Sequence, residues 1–368
     1  MKKQIKTSKI KVLWFAPNLN HYKSRLLNQF AEDSTIDLTV FIGSGNDNML
    51  KDEYVFKLIH VDVPKNNFGN SKLVKVKLES VFSEFDWVMI PVEKKNIRLF
   101  LYAIKLRRLN KQVRLFSYNH PMLRSGNGKV TFIDKWITKF YFKNLNRVVF
   151  YTQQSCDWAI KNGLIGQNKA SWANNTVDTL DIKKHYTYHL PPKDSNVIVY
   201  IGRLSPRKRI PELLKYYVEL KKVTPNLVLE IIGDGPENHY VKSAIEQDPS
   251  INWHGTLIDE ADIAPIIKRA SLVFVPGHSG LSVNHSFSYG RPYITLQGPS
   301  HAPELDYLDN GKNGYILDSD FESNSNTITQ LLTNRSQLES FCNHAKQKGE
   351  TLSVQKWIEQ MKQSLINV

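Results

Sequence analysis

The chain alternates between short runs of β-branched or aromatic residues and longer segments in which apolar residues recur three and four positions apart. Short runs of this kind are typical of buried strands, and the longer segments are typical of amphipathic helices. In the first half we predict strands at 11–16, 37–42, 57–63, 87–92, 113–118 and 148–151. We predict helices at 21–32, 72–82, 96–109, 130–145 and 155–161.

A second series follows a polar stretch, 183–196, which contains Pro191 and Pro192 and is typical of a linker. Its strands are predicted at 197–201, 227–232, 251–254, 272–275 and 293–296, and its helices at 210–222, 238–246, 260–269, 281–288 and 304–308. Repeated βα units predict an α/β fold with two doubly wound, Rossmann-like domains. We place the first at 1–185 and the second at 186–350. The segment 351–368 adds a terminal helix that could pack back on the first domain. We expect the active site in the cleft between the domains.

Length and composition support this organisation. A chain of 368 residues with 41% hydrophobic and 23% charged residues is an ordinary globular protein of two domains. No apolar stretch approaches the roughly 20 residues of a spanning helix, and the basic start lacks the apolar segment of a signal peptide. We therefore expect a cytoplasmic protein. Two cysteines, Cys156 and Cys342, suggest neither a disulfide framework nor a zinc site.

The formal charge of +14 is distributed unevenly. Residues 1–190 carry 31 Lys and Arg against 15 Asp and Glu, whereas residues 191–368 carry 18 against 20. Between 101 and 150, 11 basic residues accompany a single acid, Asp134. Such a region attracts phosphates, anionic lipid headgroups or nucleic acid, and charge alone does not distinguish among them.

One local motif indicates phosphate chemistry. Gly202-Arg203-Leu204-Ser205-Pro206-Arg207-Lys208 lies where a predicted strand ends and a helix begins. Arg203 and Lys208 flank this turn, so their charges and the free amides of the helix start could together hold a diphosphate. A basic surface turn is the alternative interpretation. The motif is neither a Walker loop nor the G-x-G-x-x-G of dinucleotide enzymes.

Three further turns follow predicted strands of the second half. They are Gly233-Asp234-Gly235-Pro236, Gly255-Thr256-Leu257 and Pro276-Gly277-His278-Ser279-Gly280-Leu281. Glycines at strand ends permit tight turns and close approach of a ligand to the backbone. The last turn also presents the amides of Gly280 and Leu281 at a helix start. Each of these turns alone is weak evidence for a ligand site.

In order and spacing, these motifs with Gly290-Arg291-Pro292 and Gly311-Lys312-Asn313-Gly314 resemble the donor-binding domain of retaining GT-B glycosyltransferases of family 4. The resemblance covers about residues 196–318. Weaker similarities in the first half are Ala16-Pro17 with His21-Tyr22, Tyr118-Asn119-His120, and Asn175-Thr176-Val177-Asp178. The resemblance implies a GT-B fold with two Rossmann-like domains facing a central cleft.

The resemblance also implies roles for individual residues. Arg203 and Lys208 would bind the donor diphosphate and stabilise its leaving charge, and His120 would lie near the transferred sugar. Acceptor-side residues would be Asn18, Asn20, His21 and Tyr22. The predicted donor-binding residues are Gly202, Arg203, Lys208, Gly233, Thr256, Leu257, Ser279, Gly280, Leu281, Ser282, His285 and Glu304. A lone His120 would otherwise be a polar loop residue.

The sequence departs from the family at two positions. Members usually carry two glutamates eight positions apart, touching the sugar and the ribose, and Gly277 and His285 stand in their places here. His285 could still hydrogen-bond a ribose, or it could be an interior histidine. The transferred sugar would then be recognised by His278, Ser279 or Ser282. Glu304 is the closest acid downstream, and its alternative role is favourable charge at a helix start.

The sequence predicts no required metal or cofactor. Asp318-Ser319-Asp320 is similar to a metal-binding pair, but it follows a predicted strand end and precedes Phe321-Glu322, which favours a helix-capping loop.

The segment 130–146 mixes aromatic residues with lysines. Lying on a bilayer surface, it would bury Phe132, Trp136, Phe140 and Tyr141 while Lys129, Lys135, Lys139 and Lys143 meet anionic headgroups. The alternative is a helix that packs on its own sheet with its lysines in water. We expect peripheral contact with the cytoplasmic face of an anionic inner membrane through the basic 101–150 region.

The leading hypothesis is a retaining, hexosyltransferase-type glycosyltransferase. It would move a sugar from a nucleotide-diphosphate donor to a hydroxyl of a lipid-linked or saccharide acceptor in bacterial capsule, O-antigen or exopolysaccharide biosynthesis. Alternatives are a catalytically inactive nucleotide-sugar-binding module and a nucleotide-sugar epimerase of the same architecture. A nucleic-acid binder, supported only by charge, leaves the ordered glycine and Arg-Lys motifs unexplained.

Overall fold

A computed structural model describes residues 9–44, 54–122, 130–298 and 301–366. Two compact units make up the chain, one formed by residues 1–174 and 354–368 and the other by residues 175–353. The domains were predicted at 1–185 and 186–350, with the helical segment 351–368 assigned to either. Among the described residues, no helix is both long and apolar enough to cross a membrane.

The first unit is built on a seven-stranded parallel sheet. Its strands are β1 (Ile10–Phe15), β2 (Ile36–Ser44), β3 (Lys57–Pro64), β4 (Trp87–Met89), β5 (Arg114–Asn119), β6 (Arg147–Phe150) and β7 (Ala170–Trp172). They lie in the order β3-β2-β1-β4-β5-β6-β7. The central strands β1, β4 and β5 are largely buried because helices cover both faces of a parallel sheet.

The helices of this unit follow the predicted amphipathic segments. They are α1 (His21–Glu32), α2 (Lys72–Val81), α3 (Ile97–Leu109), α4 (Phe132–Asn144), α5 (Gln153–Lys161) and the terminal α13 (Val354–Ile366). The indole of Trp357 on α13 is buried against Trp14 and Phe30, and its Nε1 donates to the hydroxyl of Tyr118 at 3.1 Å. The terminal helix is therefore part of the core of the first unit.

The second unit contains a six-stranded parallel sheet in the order β10-β9-β8-β11-β12-β13. Its strands are β8 (Val197–Ile201), β9 (Val228–Ile232), β10 (Ile251–Trp253), β11 (Leu272–Phe274), β12 (Tyr293–Leu296) and β13 (Gly314–Leu317). Its helices are α6 (Thr179–His185), α7 (Ile210–Val223), α8 (Asn238–Gln247), α9 (Glu260–Ile267), α10 (Leu281–Ser288), α11 (Phe321–Thr333) and α12 (Arg335–Thr351).

The structure differs from the sequence-based elements in a few places. The short strand β7 and the helices α6, α11 and α12 were not predicted, and the first residues of the predicted linker belong to α6. The segment predicted as a helix at 304–308 is a 3₁₀ turn over Pro303–Tyr307. The remaining predicted strands and helices are present, with ends that shift by a few residues.

Candidate functional site

The sheet of the second unit brings the sequence motifs to one edge. Strand β8 lies between β9 and β11, so the loops that leave β8 and β11 border a topological switch point. Ligands of doubly wound sheets bind in the crevice outside the carboxyl ends of the strands at such a point. The loops after β8 and β11 carry the predicted phosphate turn and the glycine-rich turn, which makes this edge the candidate site.

Close backbone contact holds the loops after β8 and β9 together. A Cβ on Gly233 would lie 1.9 Å from the carbonyl oxygen of Gly202, and Gly233 has a φ of +134°. Its amide donates to the carbonyl of Gly255 at 2.6 Å. Only glycine fits where two backbones approach this closely. The glycines of these turns therefore serve loop packing, which brings the loops together at the edge.

A short 3₁₀ turn, Pro206–Lys208, connects β8 to α7. Arg209 then adopts a left-handed conformation with a φ of +60° directly before the helix begins at Ile210. Its Nε donates to Glu212 Oε1 at 2.9 Å. Among the described residues, Arg209 is the only non-glycine with positive φ. Such conformations cost about 1–3 kcal/mol and cluster at ligand-binding sites.

Lys208 and Arg207 tie the β8 loop to the β11 loop. The Lys208 ammonium donates to the carbonyl of His278 at 2.6 Å, and the Arg207 guanidinium lies 3.1 Å from His278 Nδ1. The His278 amide donates to the Arg207 carbonyl at 2.7 Å. Burial, followed by the charge of Arg207, lowers the pKa of Lys208 to about 8. The loops on the two sides of the switch point thus form one bonded unit.

Arg203 differs from Lys208 in its surroundings. Its side chain is exposed, and among the described residues it makes no hydrogen bond or ion pair. Its carbonyl accepts from the hydroxyl of Tyr200 at 3.1 Å, which holds the backbone of the turn. Lys208, one of the two cations predicted to hold the diphosphate, is therefore part of the contact between the loops. The side chain of Arg203, the other cation, extends into solvent.

Gly277 lies where the loops after β8 and β11 touch. A Cβ at this position would lie 2.2 Å from the carbonyl oxygen of Arg207 and 2.7 Å from the Cα of Lys208. No side chain fits at that distance without movement of the backbone. The tight contact between the two loops therefore requires a glycine at this position.

The start of α10 lies beside the loop after β12. The Ser279 amide donates to His301 Nδ1 at 3.1 Å, while His301 Nε2 lies 2.9 Å from the Leu296 carbonyl. The two contacts are consistent with a neutral imidazole, and burial, opposed by that carbonyl, lowers the pKa of His301. α10 begins at Leu281 without a side-chain cap from Gly280. The Val283 amide donates to the Gly280 carbonyl at 2.9 Å, which leaves the amides of Leu281 and Ser282 to meet an anion.

The two predicted serines of this turn bond to the interior. Ser279 Oγ lies 3.2 Å from Thr295 Oγ1 and 3.1 Å from the hydroxyl of Tyr293. Ser282 Oγ lies 2.8 Å from the same tyrosine hydroxyl. These side chains brace the turn, and the Ser279 carbonyl also accepts from the Ala302 amide at 2.9 Å, so Ser279 is bonded within the protein through its side chain and both backbone groups. Thr256 is exposed and Leu257 is half-buried in the loop after β10.

Glu304 is buried near the cations of the edge. Asn175 Nδ2 donates to its Oε1 at 2.5 Å, and Asn284 Nδ2 donates to the Asn175 carbonyl at 2.6 Å. Burial raises the pKa of Glu304, while the bond from Asn175 and the charge of Lys208 oppose that rise. Glu304 also lies in the first turn of its 3₁₀ segment. This placement is compatible with both roles predicted for Glu304, as a donor-binding residue and as a favourable charge at a helix start.

His285 is a correction to the predicted donor residues. The structure buries its imidazole in α10, with Nε2 at 2.9 Å from Glu260 Oε1. The Tyr289 hydroxyl donates to the other oxygen of the same carboxyl at 2.6 Å. An imidazole held in this interior group is not presented to a ribose, so we remove His285 from the donor contacts.

The predicted residues of the first unit lie at the carboxyl ends of β1 and β5. His120 is exposed directly after β5, with its ring 4.9 Å from that of Tyr151. Asn20 accepts a bond from the Lys23 amide and begins α1. The rings of His21 and Tyr22 lie with their centres 3.9 Å apart and their planes tilted by 41°. Asn18 is exposed in the same loop. Both groups thus lie at one edge of the first sheet.

Three contributors to the edge of the second unit were not among the predicted site residues. They are Arg207, Asn175 and His301. Arg207 stands inside the phosphate turn 202–208, Asn175 begins the motif 175–178, and His301 stands three positions before Glu304, but nothing local distinguishes them from their neighbours. Their contacts depend on loops that are distant in sequence.

The residues that the structure describes contain no group of three or more His, Cys, Asp or Glu placed to hold a metal ion. Asp320 instead accepts from the Ser323 amide at 3.1 Å and caps α11. The helix-capping prediction for 318–320 is confirmed.

Comparisons with known proteins agree with this geometry. A family model described as "Glycosyl transferases group 1" matches residues 181–348. A curated relative, the UDP-N-acetylglucosamine–peptide N-acetylglucosaminyltransferase GtfA subunit of Streptococcus agalactiae, is 26% identical over 132 residues. That match covers 35% of this chain and 25% of the relative, so the chain matches about a quarter of the relative's length.

Solved structures share the fold over nearly the whole chain. Anabaena Alr3699/HepE in complex with UDP has a TM-score of 0.71 at 15% identity, covering 98% of this chain and 100% of the other. The lipopolysaccharide outer core galactosyltransferase WaaB has a TM-score of 0.67 at 17% identity, covering 96% and 99%. The chain thus has the GT-B fold of two Rossmann-like sheets, and its residues 181–348 are a glycosyltransferase group 1 domain.

Proposed function

We propose that this protein is a retaining glycosyltransferase. It moves a sugar, of the hexose type, from a nucleotide-diphosphate donor to a hydroxyl of a lipid-linked or saccharide acceptor. The observation that supports the proposal best is the bonded pair of loops at the switch point of the second sheet, where Lys208 and Arg207 meet the β11 loop. Cations and free helix-start amides converge there on a place suited to a diphosphate.

The chemistry requires the departing diphosphate to be stabilised. Arg203 has an exposed guanidinium that can fold onto the phosphates, and Lys208 contributes charge from within the loop contact. Preorganised cations and amides of this kind stabilise charge that develops in the transition state. A donor phosphate oxygen would take the acceptor proton on the face from which the diphosphate leaves. The acceptor oxygen would bond to the anomeric carbon on that same face as the bond to the diphosphate breaks, so retention requires no side-chain nucleophile. Positioning would supply much of the rate enhancement.

The remaining predicted residues have proposed roles in the same reaction. Gly233, Thr256 and Leu257 would face the nucleoside with their loop backbones, and Glu304 would be the acid of the donor site. His120 would lie by the transferred sugar, and Asn18, Asn20, His21 and Tyr22 by the acceptor. None of these roles requires a metal or another cofactor.

The solved relatives support a choice of donor base and of biological setting for this proposal. Alr3699/HepE was crystallised with UDP and with UDP-glucose, which makes a uridine diphosphate sugar the first donor to test. WaaB is named for the lipopolysaccharide outer core. We propose bacterial surface-polysaccharide assembly, at the cytoplasmic face of the inner membrane, as the setting.

A thermal-shift screen tests the donor site. UDP, GDP, ADP, dTDP and CMP, alone and as their sugars, are added to the wild-type protein, to an Arg203→Ala/Lys208→Ala variant and to Lys193→Ala as a control at an exposed lysine of the same unit. We expect one nucleoside diphosphate to raise the melting temperature of the wild type and the control but not of the double variant. No shift with any nucleotide would refute the donor site.

Product analysis separates the proposal from its alternatives. The absence of side-chain acids at Gly277 and His285 is the observation that favours an inactive binding module. That module would bind a nucleotide sugar and release no nucleoside diphosphate with any acceptor. An epimerase would return an altered nucleotide sugar without an acceptor. A transferase releases the nucleoside diphosphate in an acceptor-dependent manner, with retained anomeric configuration in the product.

A further inference from the structure

The outward face of α4 carries large apolar side chains in water. Phe132 is 84% exposed, Ile133 63% and Trp136 62%, and Val130, just before the helix, is 50% exposed. These residues fall within seven consecutive positions. Contiguous exposed apolar groups on a soluble domain mark an interaction surface, whereas single ones are ordinary.

The opposite face of α4 anchors the helix to its own unit. Asp134, Thr138, Tyr141 and Phe142 are buried, and Thr131 and Asp134 form a capping box at the helix start. The Tyr141 ring stacks on Phe100, and its hydroxyl donates to the Glu93 carbonyl at 2.8 Å. The sequence placed Tyr141 at a bilayer surface, and this prediction was wrong because the side chain is part of the core.

Basic side chains surround the exposed apolar group. Lys135, Lys139 and Lys143 are exposed on α4, and at three- and four-residue spacing Lys139 and Lys143 share the face of Phe132 and Trp136. The one acid of α4, Asp134, is buried and paired with Lys94. The outward face of the helix therefore presents aromatic, aliphatic and positively charged groups without an exposed carboxylate.

The neighbouring helix extends the positive surface. Phe100 of α3 contacts Phe140 of α4 edge to face, so the two helices lie side by side. The exposed positions of α3 include Arg98, Lys105 and Arg108. The α4 surface is defined as Phe132, Ile133, Lys135, Trp136, Lys139 and Lys143, and the helix beside it carries further exposed cations.

We propose that the α4 surface docks on an anionic lipid bilayer. Phe132, Ile133 and Trp136 enter the boundary between headgroups and acyl chains, and Lys135, Lys139 and Lys143 contact lipid phosphates. Aromatic and aliphatic groups beside lysines on one helix face are the composition of interfacial helices. Because the exposed charges of the α4 surface are all positive, they favour an anionic membrane. A bilayer can accept a convex helix face without a groove of matching shape.

This docking is independent of the donor site. It would hold the first unit at the surface where a lipid-linked acceptor is found, and the nucleotide would bind whether or not lipid is present. A failure of lipid binding would therefore leave the proposed transfer reaction untouched, and the reverse also holds.

Vesicle sedimentation tests the proposal. The full-length protein is mixed with vesicles of phosphatidylcholine containing 30% phosphatidylglycerol and with vesicles of phosphatidylcholine alone. We expect binding to the anionic vesicles that weakens steeply with added salt, and at least tenfold weaker binding to the neutral ones, because the lysines find no anionic headgroups there.

Two variants divide the surface into its parts. Phe132→Ser/Ile133→Ser/Trp136→Ser removes the apolar group, and Lys135→Glu/Lys139→Glu/Lys143→Glu reverses the charge. We expect each to weaken partition into anionic vesicles by tenfold or more. Matched controls are Val218→Ser/Val223→Ser, which removes exposed apolar side chains of the second unit, and Lys193→Glu/Lys242→Glu/Lys268→Glu, which reverses exposed lysines there.

Vesicle binding and melting temperature together test whether the α4 surface docks on lipid. Loss of binding in both test variants, with melting temperatures unchanged and both controls still bound, supports the proposal. Wild-type protein that stays in the supernatant overturns it, as does equal binding by wild type and test variants. Self-association or binding of a protein that depends on Phe132 and Trp136, without lipid binding, assigns the surface to a protein partner and also overturns it.

The depth of insertion provides a second readout. Lipids brominated on their acyl chains quench a tryptophan that enters the bilayer. We expect quenching of the wild-type protein that is largely lost in Trp136→Phe, a variant that still sediments with anionic vesicles. Quenching that is the same in both proteins would contradict insertion at this position.

Discussion

Two positively charged regions of this molecule are built in opposite ways. At the carboxyl edge of the second sheet, cations lie among closely packed loop backbones, and Lys208 is bonded across the switch point to His278. On the α4 surface, lysines and aromatic residues extend from a helix whose other face is packed. The net charge along the chain pointed only to the first half, although the predicted phosphate site lies in the half without excess charge.

The two regions differ in how strongly their side chains contribute to the stability of the folded protein. Bonded groups at the sheet edge, such as Lys208, participate in the fold, so changes to them should alter both unfolding and ligand binding. Groups of the α4 surface extend into water, so changes there should alter binding alone. The following predictions test this contrast at the sheet edge, in order of decreasing effect.

Gly277→Ala should have the largest effect. A Cβ would meet the Arg207 carbonyl at 2.2 Å, so the β8 and β11 loops must separate. We expect the free energy of unfolding to fall by about 3 kcal/mol, at the upper end of overpacking costs, and nucleotide binding to be lost. Denaturant unfolding and calorimetry measure both quantities. Gly298→Ala, with nothing nearer than 3.7 Å, is the matched control, and equal stability of the two variants would contradict the tight contact.

Lys208→Met and Arg203→Met should distinguish the roles of the two cations that are proposed to bind the diphosphate. Each removes a charge-assisted contact to phosphate, worth about 1.5–3 kcal/mol, so we expect nucleotide affinity to fall by roughly 10- to 100-fold in both. Only Lys208→Met should also alter the melting temperature, because only Lys208 bonds the two loops. If Arg203→Met changed the melting temperature equally, the distinction between the cations would fail.

His285→Ala should show the reverse pattern. It removes the imidazole that lies 2.9 Å from the buried carboxyl of Glu260, and it leaves that acid with one partner fewer. We expect a loss of about 1–3 kcal/mol in unfolding free energy, the usual cost of a buried group left unsatisfied. Nucleotide affinity should be unchanged. A large loss of affinity in a stably folded His285→Ala protein would return this residue to the donor site.

The pH dependence of nucleotide binding should be the smallest effect. The pKa of Lys208 is about 8, below its ordinary 10.5, so the folded protein loses the ammonium as the pH rises through 8. We expect nucleotide affinity to fall above pH 8, by at most about tenfold per pH unit, with proton uptake on binding. In Lys208→Arg the charge persists, and the affinity should be nearly flat over the same range.

The same shift has a consequence for folding. Between pH 8 and 10.5 the unfolded chain holds the Lys208 proton that the folded chain has released. Stability contributed by this residue therefore rises with pH in that window and is lowest, and constant, below pH 8. The difference in unfolding free energy between wild type and Lys208→Met reports it, since other groups contribute equally to both.

Much of the architecture was predictable from the sequence. Strands such as β8 and β12 and helices such as α1 and α10 have strong periodic patterns, and the structure confirms their ends. β7 was missed because three half-buried residues at a sheet edge carry almost no pattern. α12 was missed because its 17 residues are mostly polar, with a narrow buried stripe.

The candidate site was predictable only in outline. Glycine-rich turns after strands are local signals, and parallel strands place them at one edge. Whether a side chain there is buried, bonded or exposed depends on loops far along the chain. His285 illustrates this, because its inward placement depends on Glu260 in another helix.

The sequence by itself determined the alternation of strands and helices, the two α/β units and the turns that carry Arg203 and Lys208, since these depend on neighbouring residues and on backbone preference. Tertiary structure decided that Gly277 has no room for a side chain, that Lys208 is bonded and Arg203 exposed, and that Tyr141 faces inward while Trp136 faces water. The reason is physical, because burial and pKa depend on which distant groups pack against a residue, and a linear pattern does not contain that information.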